Sequence, residues 1–301
     1  MKVVRGTAGI CIVRDARDLV PFLCGHYLRV GFDQLSFIDD GSSDGTFEFL
    51  SELSRRSKRV SVRQVICDQY RQAELMTESA NELVARGYRL IVPFDADEFW
   101  NITVNDLDRL HALSAEGTFF GRWINFVQKT ALTSPRAFGL FQMKSRAPSL
   151  PDAGYETVST FQRPFVCSTD RKVAFKTSEC IEIDQGQHGR GKNVAELDQS
   201  ESEIFHLPLR YRSEITKRGV NYEPRRAALR KGPGESWQSA FHREVVLTNR
   251  VDEVWNANSA NENGQLNSYG EPVDLISDNR LRRILLRASF YLARTARMIA
   301  G

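Results

Sequence analysis

The chain lacks an excess of charge of either sign: across 301 residues, 41 Lys and Arg face 38 Asp and Glu, a formal charge of +3. That is too little for a protein that coats nucleic-acid phosphates along its length, so no nucleic-acid partner is expected. No stretch holds 18 uninterrupted apolar residues, which removes the expectation of a membrane-spanning helix. The five cysteines (Cys11, Cys24, Cys67, Cys167, Cys180) show no CxxC spacing, and Cys11, inside GICIV, reads as a small buried hydrophobe. A reducing compartment follows as the simpler expectation. The opening MKVVRGTAGICIV meets Arg14 and Asp15 before a signal-type apolar region is complete, so a cytoplasmic protein is expected. At 41% hydrophobic and 26% charged residues, with no internal repeat, collagen, a coiled-coil rod and bulk disorder are excluded. The length suits one large α/β domain with an appendage, or two smaller domains.

What is present is an alternation of strand and helix patterns over the first 130 residues. GICIV (9–13), QLSFIDD (34–40), VSVRQVI (60–66) and YRLIVPFDADEFW (88–100) read as strands. Helical spacing is seen from Leu19 to Gly31, from Thr46 to Leu53 and over 70–86, the last ended by Gly87. Strands separated by helices of this length need crossovers, which build a parallel sheet covered on both faces, with ligands at the strands' carboxyl ends. The polar residues gather at those ends: Arg14 and Asp15, Asp39 and Asp40, then Asp95, Asp97 and Glu98. Beyond residue 130 the pattern weakens. RKVAFK and CIEI read as strands, 211–231 and 235–250 as Arg-rich helices, and 256–272 as a polar linker into a last helix.

Two segments carry chemistry. In FDADEFW (94–100), two Asp at i and i+2 on a strand end that turns can both reach one divalent cation, and three neighbouring carboxylates repel one another unless a cation neutralises them. The alternative is an acidic junction capping the helix that begins near Asn105. In FIDDGSSDGT (37–46), Asp44 or Ser43 suits a helix cap, which leaves Asp40 for a base N–H or a ribose hydroxyl.

In this order and spacing the two segments resemble the family 2-like nucleotide-sugar glycosyltransferases of GT-A fold, in particular a bacterial branch that opens with an apolar strand followed by a basic and an acidic residue, here GICIVRD. The resemblance covers about residues 8–127, with Asn81 and the aromatic strand GRWINF (121–126) also in place. It implies a Rossmann-like α/β fold, a mostly parallel central sheet flanked by helices, with a C-terminal helical appendage. Residues 1–250 would form the catalytic domain (1–127 binding the nucleotide sugar, 128–250 on the acceptor side), 251–277 a linker and 278–301 a basic amphipathic helix. It further implies a hexosyltransferase-like enzyme of polysaccharide biosynthesis, taking a nucleotide-diphosphate sugar and a glycan or lipid-linked acceptor, with Mn²⁺ or Mg²⁺ and inversion.

Residue by residue, the resemblance assigns Arg14, Asp15, Asp40, Arg71 and Asp95 to the nucleotide, and Asp95, Asp97, His188 and His206 to the metal. The acceptor base is left among Glu179, Glu182 and Asp184. Packing in an apolar strand is the alternative for His206. Arg210, Arg212 and Lys217 could clamp a diphosphate, or form a solvated basic face. Two rival functions stay open. A Mg²⁺ phosphatase of the haloacid dehalogenase kind wants its Asp pair after the first core strand, with Thr or Val two positions beyond, where this chain has Phe99. A degenerate, non-catalytic transferase that binds glycan or a partner is the other.

The final helix sets Arg280, Arg283, Arg287, Arg294 and Arg297 on one side, with Leu281, Leu285, Ala288, Leu292, Ala296 and Ile299 opposite. That pattern suits peripheral contact with the inner face of an anionic cell membrane, and equally docking onto the catalytic domain.

Overall fold

The computed structural model describes residues 6–65, 71–135, 138–148, 165–167, 171–184, 202–221, 237–266 and 272–300. Its first half is the expected alternation: β1 (Thr7–Val13), α1 (Val20–Val30), β2 (Gln34–Asp39), α2 (Thr46–Arg56), β3 (Val60–Gln64), α3 (Gln72–Ala85) and β4 (Leu90–Pro93). These strands lie side by side in the order β3-β2-β1-β4, all parallel. Period-two alternation divides β1 between two cores: Ala8 and Ile10 face α3 with Met76, Ala80 and Leu83, while Cys11 and Val13 face α1 with Leu23 and Tyr27. The sheet is thus covered on both faces, in the α/β class that the sequence pattern implies.

Past β4 the chain departs from a simple alternation. The run read as one strand, 88–100, is two: β4 ends at Pro93, the Glu98 N–H closes a turn onto the Asp95 carbonyl (3.1 Å), and β5 (Glu98–Trp100) leaves in a new direction. Proline cannot donate to the ladder, and the acidic turn redirects the chain. Tyr27 of α1 holds β5 there, its hydroxyl donating to the Glu98 carbonyl (3.0 Å) and accepting from the Trp100 N–H (3.1 Å). The acidic residues do not cap the next helix, α4 (Val104–Ala112); Thr103 and Asp106 form that capping box.

The second half adds β6 (Gly117–Val127), β7 (Ser145–Arg146), β8 (Arg171–Lys176) and β9 (Ser202–His206), then α5 (Arg212–Asn221), α6 (Trp237–Leu247) and α7 (Val251–Ala257). Short strands β10 (Gln265–Leu266), β11 (Val273–Asp274) and β12 (Ile276–Ser277) precede α8 (Arg280–Ala300). β8 joins the sheet antiparallel to both β4 and β6, and β9 lies between β6 and β5. The segment CIEI forms no strand; it lies along α3, where Asn81 exchanges hydrogen bonds with the Ile181 backbone (3.0 and 2.8 Å) and Thr77 accepts from Ile183 N–H (2.9 Å). The stretch read as a linker opens with α7, whose Val254 and Trp255 pack with Ile215 of α5 and Phe241 of α6. Residues 188–193 (HGRGKN), whose glycines suggest a turn in the sequence, lie outside the described residues.

α8 docks on α1. Leu281, Leu285 and Ala288 are fully buried, and Gly25 of α1 lies against the Ala288 backbone. No helix among the described residues is long and apolar enough to cross a membrane.

The α1–β5 contact carries a pH prediction. His26, 1% exposed, is 2.9 Å from the Trp100 carbonyl through Nε2, and its Nδ1 has no hydrogen-bond partner. Burial pushes its pKa down to about 4, against the opposing pull of that carbonyl. The unfolded residue takes up a proton below about pH 6.5, so His26's share of stability is complete at neutral pH and is lost as pH falls towards the folded value. Between pH 7 and 5 the wild type is expected to lose about 2 kcal/mol relative to His26→Gln. Paired urea titrations at the two pH values test this; a gap between the proteins that stays constant with pH contradicts it.

Candidate active site

The carboxyl ends of the parallel strands form one rim. After β1, the Arg14 guanidinium lies 3.7 Å from the Asp40 carboxylate at the end of β2, and the Asp40 N–H continues the ladder onto the Val13 carbonyl (2.8 Å). Asp15 adopts φ 49° and accepts from the Ser43 N–H at 2.7 Å, so the two rim loops are tied together. Asp44 accepts from the Thr46 N–H (3.0 Å) in the turn before α2, but the N-cap position is Gly45, at φ 89°, so neither Asp44 nor Ser43 is the helix cap.

Beside this rim opens a cleft of about 470 Å³, lined by Arg14, Asp15 and Asp18 from the first loop, Asp97 from the turn after β4, and Arg210, Glu214, Lys217 and Arg218 from β9–α5. Segments far apart in sequence therefore share one cavity. Asp40 does not line it, but pairs with Arg14, which does.

The two Asp of the DADEF turn diverge. Asp95 turns to the sheet, 2.7 Å from Lys172 Nζ and 3.3 Å from Gln72 Nε2. Asp97, 17% exposed, turns to the cleft, 3.2 Å from Arg218 and 3.9 Å from His206 Nε2. Burial pushes the Asp97 pKa up, but His206, Arg218, Arg210 and Lys172 together outweigh it and hold the carboxyl below its ordinary range. Glu98 is fully buried; burial raises its pKa against the opposing Lys172, 3.2 Å away. Lys172 is itself 1% exposed, and Asp95 and Glu98 raise its pKa despite burial. The internal countercharge that the three carboxylates need is thus a lysine from β8.

His206 is held from behind. Its Nδ1 lies 2.7 Å from Asn125 Oδ1 and its ring stacks on Trp123 at 4.0 Å, while the Trp123 indole N–H donates to Glu98 (2.7 Å). Asn125 as acceptor puts the ring proton on Nδ1 and leaves the Nε2 lone pair towards Asp97. Burial lowers the His206 pKa to about 4, although Asp97 opposes it, so the ring is neutral at pH 7. A neutral imidazole and an ionised carboxylate 3.9 Å apart are a donor set that fits a divalent cation also bound by phosphate oxygens. Among the described residues no three His, Cys, Asp or Glu form a metal-holding group, and His188 lies outside them.

The other expected residues fall elsewhere. Glu179, Glu182 and Asp184 are exposed and do not line the cleft. β8 runs antiparallel to β4, so the chain leaves it at the end of the sheet opposite the rim, and 181–184 then pack on α3. Arg71 pairs with Glu74 (2.7 Å) at the exposed start of α3, and Arg212 with Asp252 of α7. Arg210 does line the cleft, buried between Asp18 (2.9 Å) and Glu214. Lys172 and Arg218 are additions that no motif marked, and Trp123 and Asn125 lie in GRWINF, which matches as a strand with no site role attached.

No family model matches the chain, and no curated protein matches its sequence. Among solved structures, the fold is similar to S. aureus TarS 1–349 (11% identity, TM-score 0.35, 72% of this chain and 64% of that one) and to the same fragment in complex with UDP (9%, TM-score 0.37, 72% and 65%). It is also similar to the Pyrobaculum calidifontis mannosyltransferase PcManGT in complex with GDP-Man and Mn²⁺ (12%, TM-score 0.37, 97% and 75%). The chain spans a little under two-thirds of the TarS fragment.

Proposed function

We propose that the chain is a glycosyltransferase that moves a sugar from a nucleoside-diphosphate donor to a glycan or lipid-linked acceptor, with a divalent cation and with inversion. The observation that carries this reading is the cleft itself, where Arg14 and Asp15 after β1 meet Asp97 after β4. In this reading residues 1–250 form the catalytic domain, and Asp40 with Arg14 receives the base or ribose. Lys217 and Arg218 face the diphosphate, so that negative charge growing on the leaving group meets fixed cations in a partly enclosed site. Asp97 and His206 are the residues that would hold Mn²⁺ or Mg²⁺, whose chemistry is to neutralise the departing diphosphate. For the acceptor proton, Glu214 takes the place of Glu179, Glu182 and Asp184: it lines the cleft, and burial raises its pKa against the lowering effect of Arg210, which suits a general base.

The phosphatase reading loses its premise, because the Asp pair follows β4 and not the first strand. The deciding experiment is a thermal-shift panel of UDP, GDP, CDP and dTDP, each with and without Mn²⁺. One nucleotide is expected to raise Tm in a cation-dependent way, since a ligand of the folded state stabilises by roughly 2.7 kcal/mol at a hundred times its Kd. Asp97→Ala should abolish that shift, whereas Glu214→Gln should keep it and lose sugar transfer. Release of free phosphate from simple phosphomonoesters, with no nucleotide shift, would overturn the proposal.

A further inference from the structure

The amphipathic last helix has its apolar side already occupied, because Leu281, Leu285 and Ala288 are buried against α1. The face left to solvent is therefore the opposite one. It carries Arg282, Arg283, Arg287 and Arg294, all exposed, with Leu286 (39% exposed) and Phe290 (74%) between them. At 100° per residue, positions 283, 286, 287, 290 and 294 form a single stripe. Arg280, by contrast, belongs to the fold, held by Asp278 (2.7 Å) and Glu203.

The stripe is not neutralised from within. Among the described residues no acid pairs with Arg282, Arg283, Arg287 or Arg294, and Arg287 repels Arg29 of α1, whose pKa burial and that neighbour both lower. Two more exposed apolar side chains belong to segments that adjoin α8: Ile276, 41% exposed just before it, and Phe138, 76% exposed at φ 62°, which precedes the 3-10 turn Gly139–Gln142 that packs on it.

We infer that this outer face of α8 is a docking surface for an anionic lipid bilayer, with the guanidinium groups at the phosphate level and Phe290 and Leu286 reaching the acyl boundary. Charge complementarity selects the occupant. A second copy of the same face is excluded by like charge. A long soluble polyanion would meet an unfavourable remainder, since residues 1–277 hold 35 basic and 37 acidic side chains. A flat anionic surface touches the basic face alone, and arginines interleaved with an exposed aromatic are the composition that settles at a lipid interface. The inference concerns α8 and stands apart from the chemistry of the cleft.

The test is co-sedimentation of the full chain with vesicles of phosphatidylcholine alone and of phosphatidylcholine mixed with phosphatidylglycerol, at low and high salt. Binding is expected only to the mixed vesicles and to weaken with salt, as the Debye length shortens. Each arginine near an anionic surface contributes roughly fivefold in affinity, so Arg283→Gln, Arg287→Gln and Arg294→Gln combined should weaken binding about 100-fold. Phe290→Ala should weaken it about tenfold. These side chains are exposed, so an unchanged circular dichroism spectrum and Tm are expected for both variants. No binding to the mixed vesicles at low salt, or binding that the triple variant retains, overturns the inference. So does binding to heparin as tight as to vesicles and indifferent to Phe290→Ala.

Discussion

Replacing Lys172 with Met is expected to cost about 3–5 kcal/mol of stability, the range for removing one partner of a buried ion pair. The ammonium is 1% exposed and is placed 2.7 Å from Asp95 and 3.2 Å from Glu98, with the Trp123 ring 5.3 Å away. Met fills nearly the same volume, so a cavity contributes little to the loss. What remains is a fully buried Glu98 beside Asp95, supported by the Trp123 indole (2.7 Å) and the Asp95 N–H (3.0 Å) but without its cation. Adding Glu98→Gln removes one of the two uncompensated charges and should return part of the loss, whereas on the wild-type background the same change leaves Lys172 with one partner fewer and destabilises. That reversal of sign separates a charge effect from a packing effect. Urea unfolding of the four proteins of this cycle measures it, and a Lys172→Met protein as stable as wild type would show that these carboxylates do not share a dry site.

The same lysine marks where sequence reasoning stops. Three carboxylates in FDADEF correctly demand a positive charge, but the sequence offers a bound cation as readily as a side chain. Lys172 sits in RKVAFK, an ordinary strand pattern, and only the antiparallel pairing of β8 with β4 and β6 brings it to Asp95. Asn125 and His206 are likewise joined by the parallel pairing of β6 with β9, which places them in register. Such non-local pairings leave no periodic trace. The β1–β4 half was legible because its signals are local: period-two strands, 3.6-period helices, and a glycine at the end of α1, Gly31, with φ 109°. The rim residues followed from that topology, since parallel strands put their carboxyl ends on one side. Glu179, Glu182 and Asp184 do not line the cleft; their candidacy rests on place in the chain, which carries no local signal of where a segment beyond β8 lies in the fold.

Gly25→Val is expected to release the C-terminal helix. A methyl at Gly25 would fall 2.8 Å from the Ala288 carbonyl carbon and closer still to its oxygen, in a place where real Cβ contacts do not occur. Both obstacles are backbone, so no rotamer change relieves them and the α1–α8 spacing has to widen. Widening exposes Leu281 and Leu285, both fully buried. Each is worth roughly 1.5–3 kcal/mol of burial, so complete undocking costs about 5 kcal/mol, well beyond the few tenths by which a helical Val improves on Gly. Gly25→Ala should lie between, since Ala adds only the methyl and regains about 1 kcal/mol of helix propensity. Limited trypsin digestion reads the event directly, because a released α8 offers Arg280, Arg282, Arg283, Arg287 and Arg294 as cleavage sites. The C-terminal residues should be lost faster in Gly25→Val than in wild type while the rest of the chain stays intact. Equal rates would mean that α8 does not lie on α1 at this glycine. Release of the helix should also free its apolar side, so vesicle binding by Gly25→Val is expected to strengthen and to become less sensitive to salt, as hydrophobic insertion replaces charge contact.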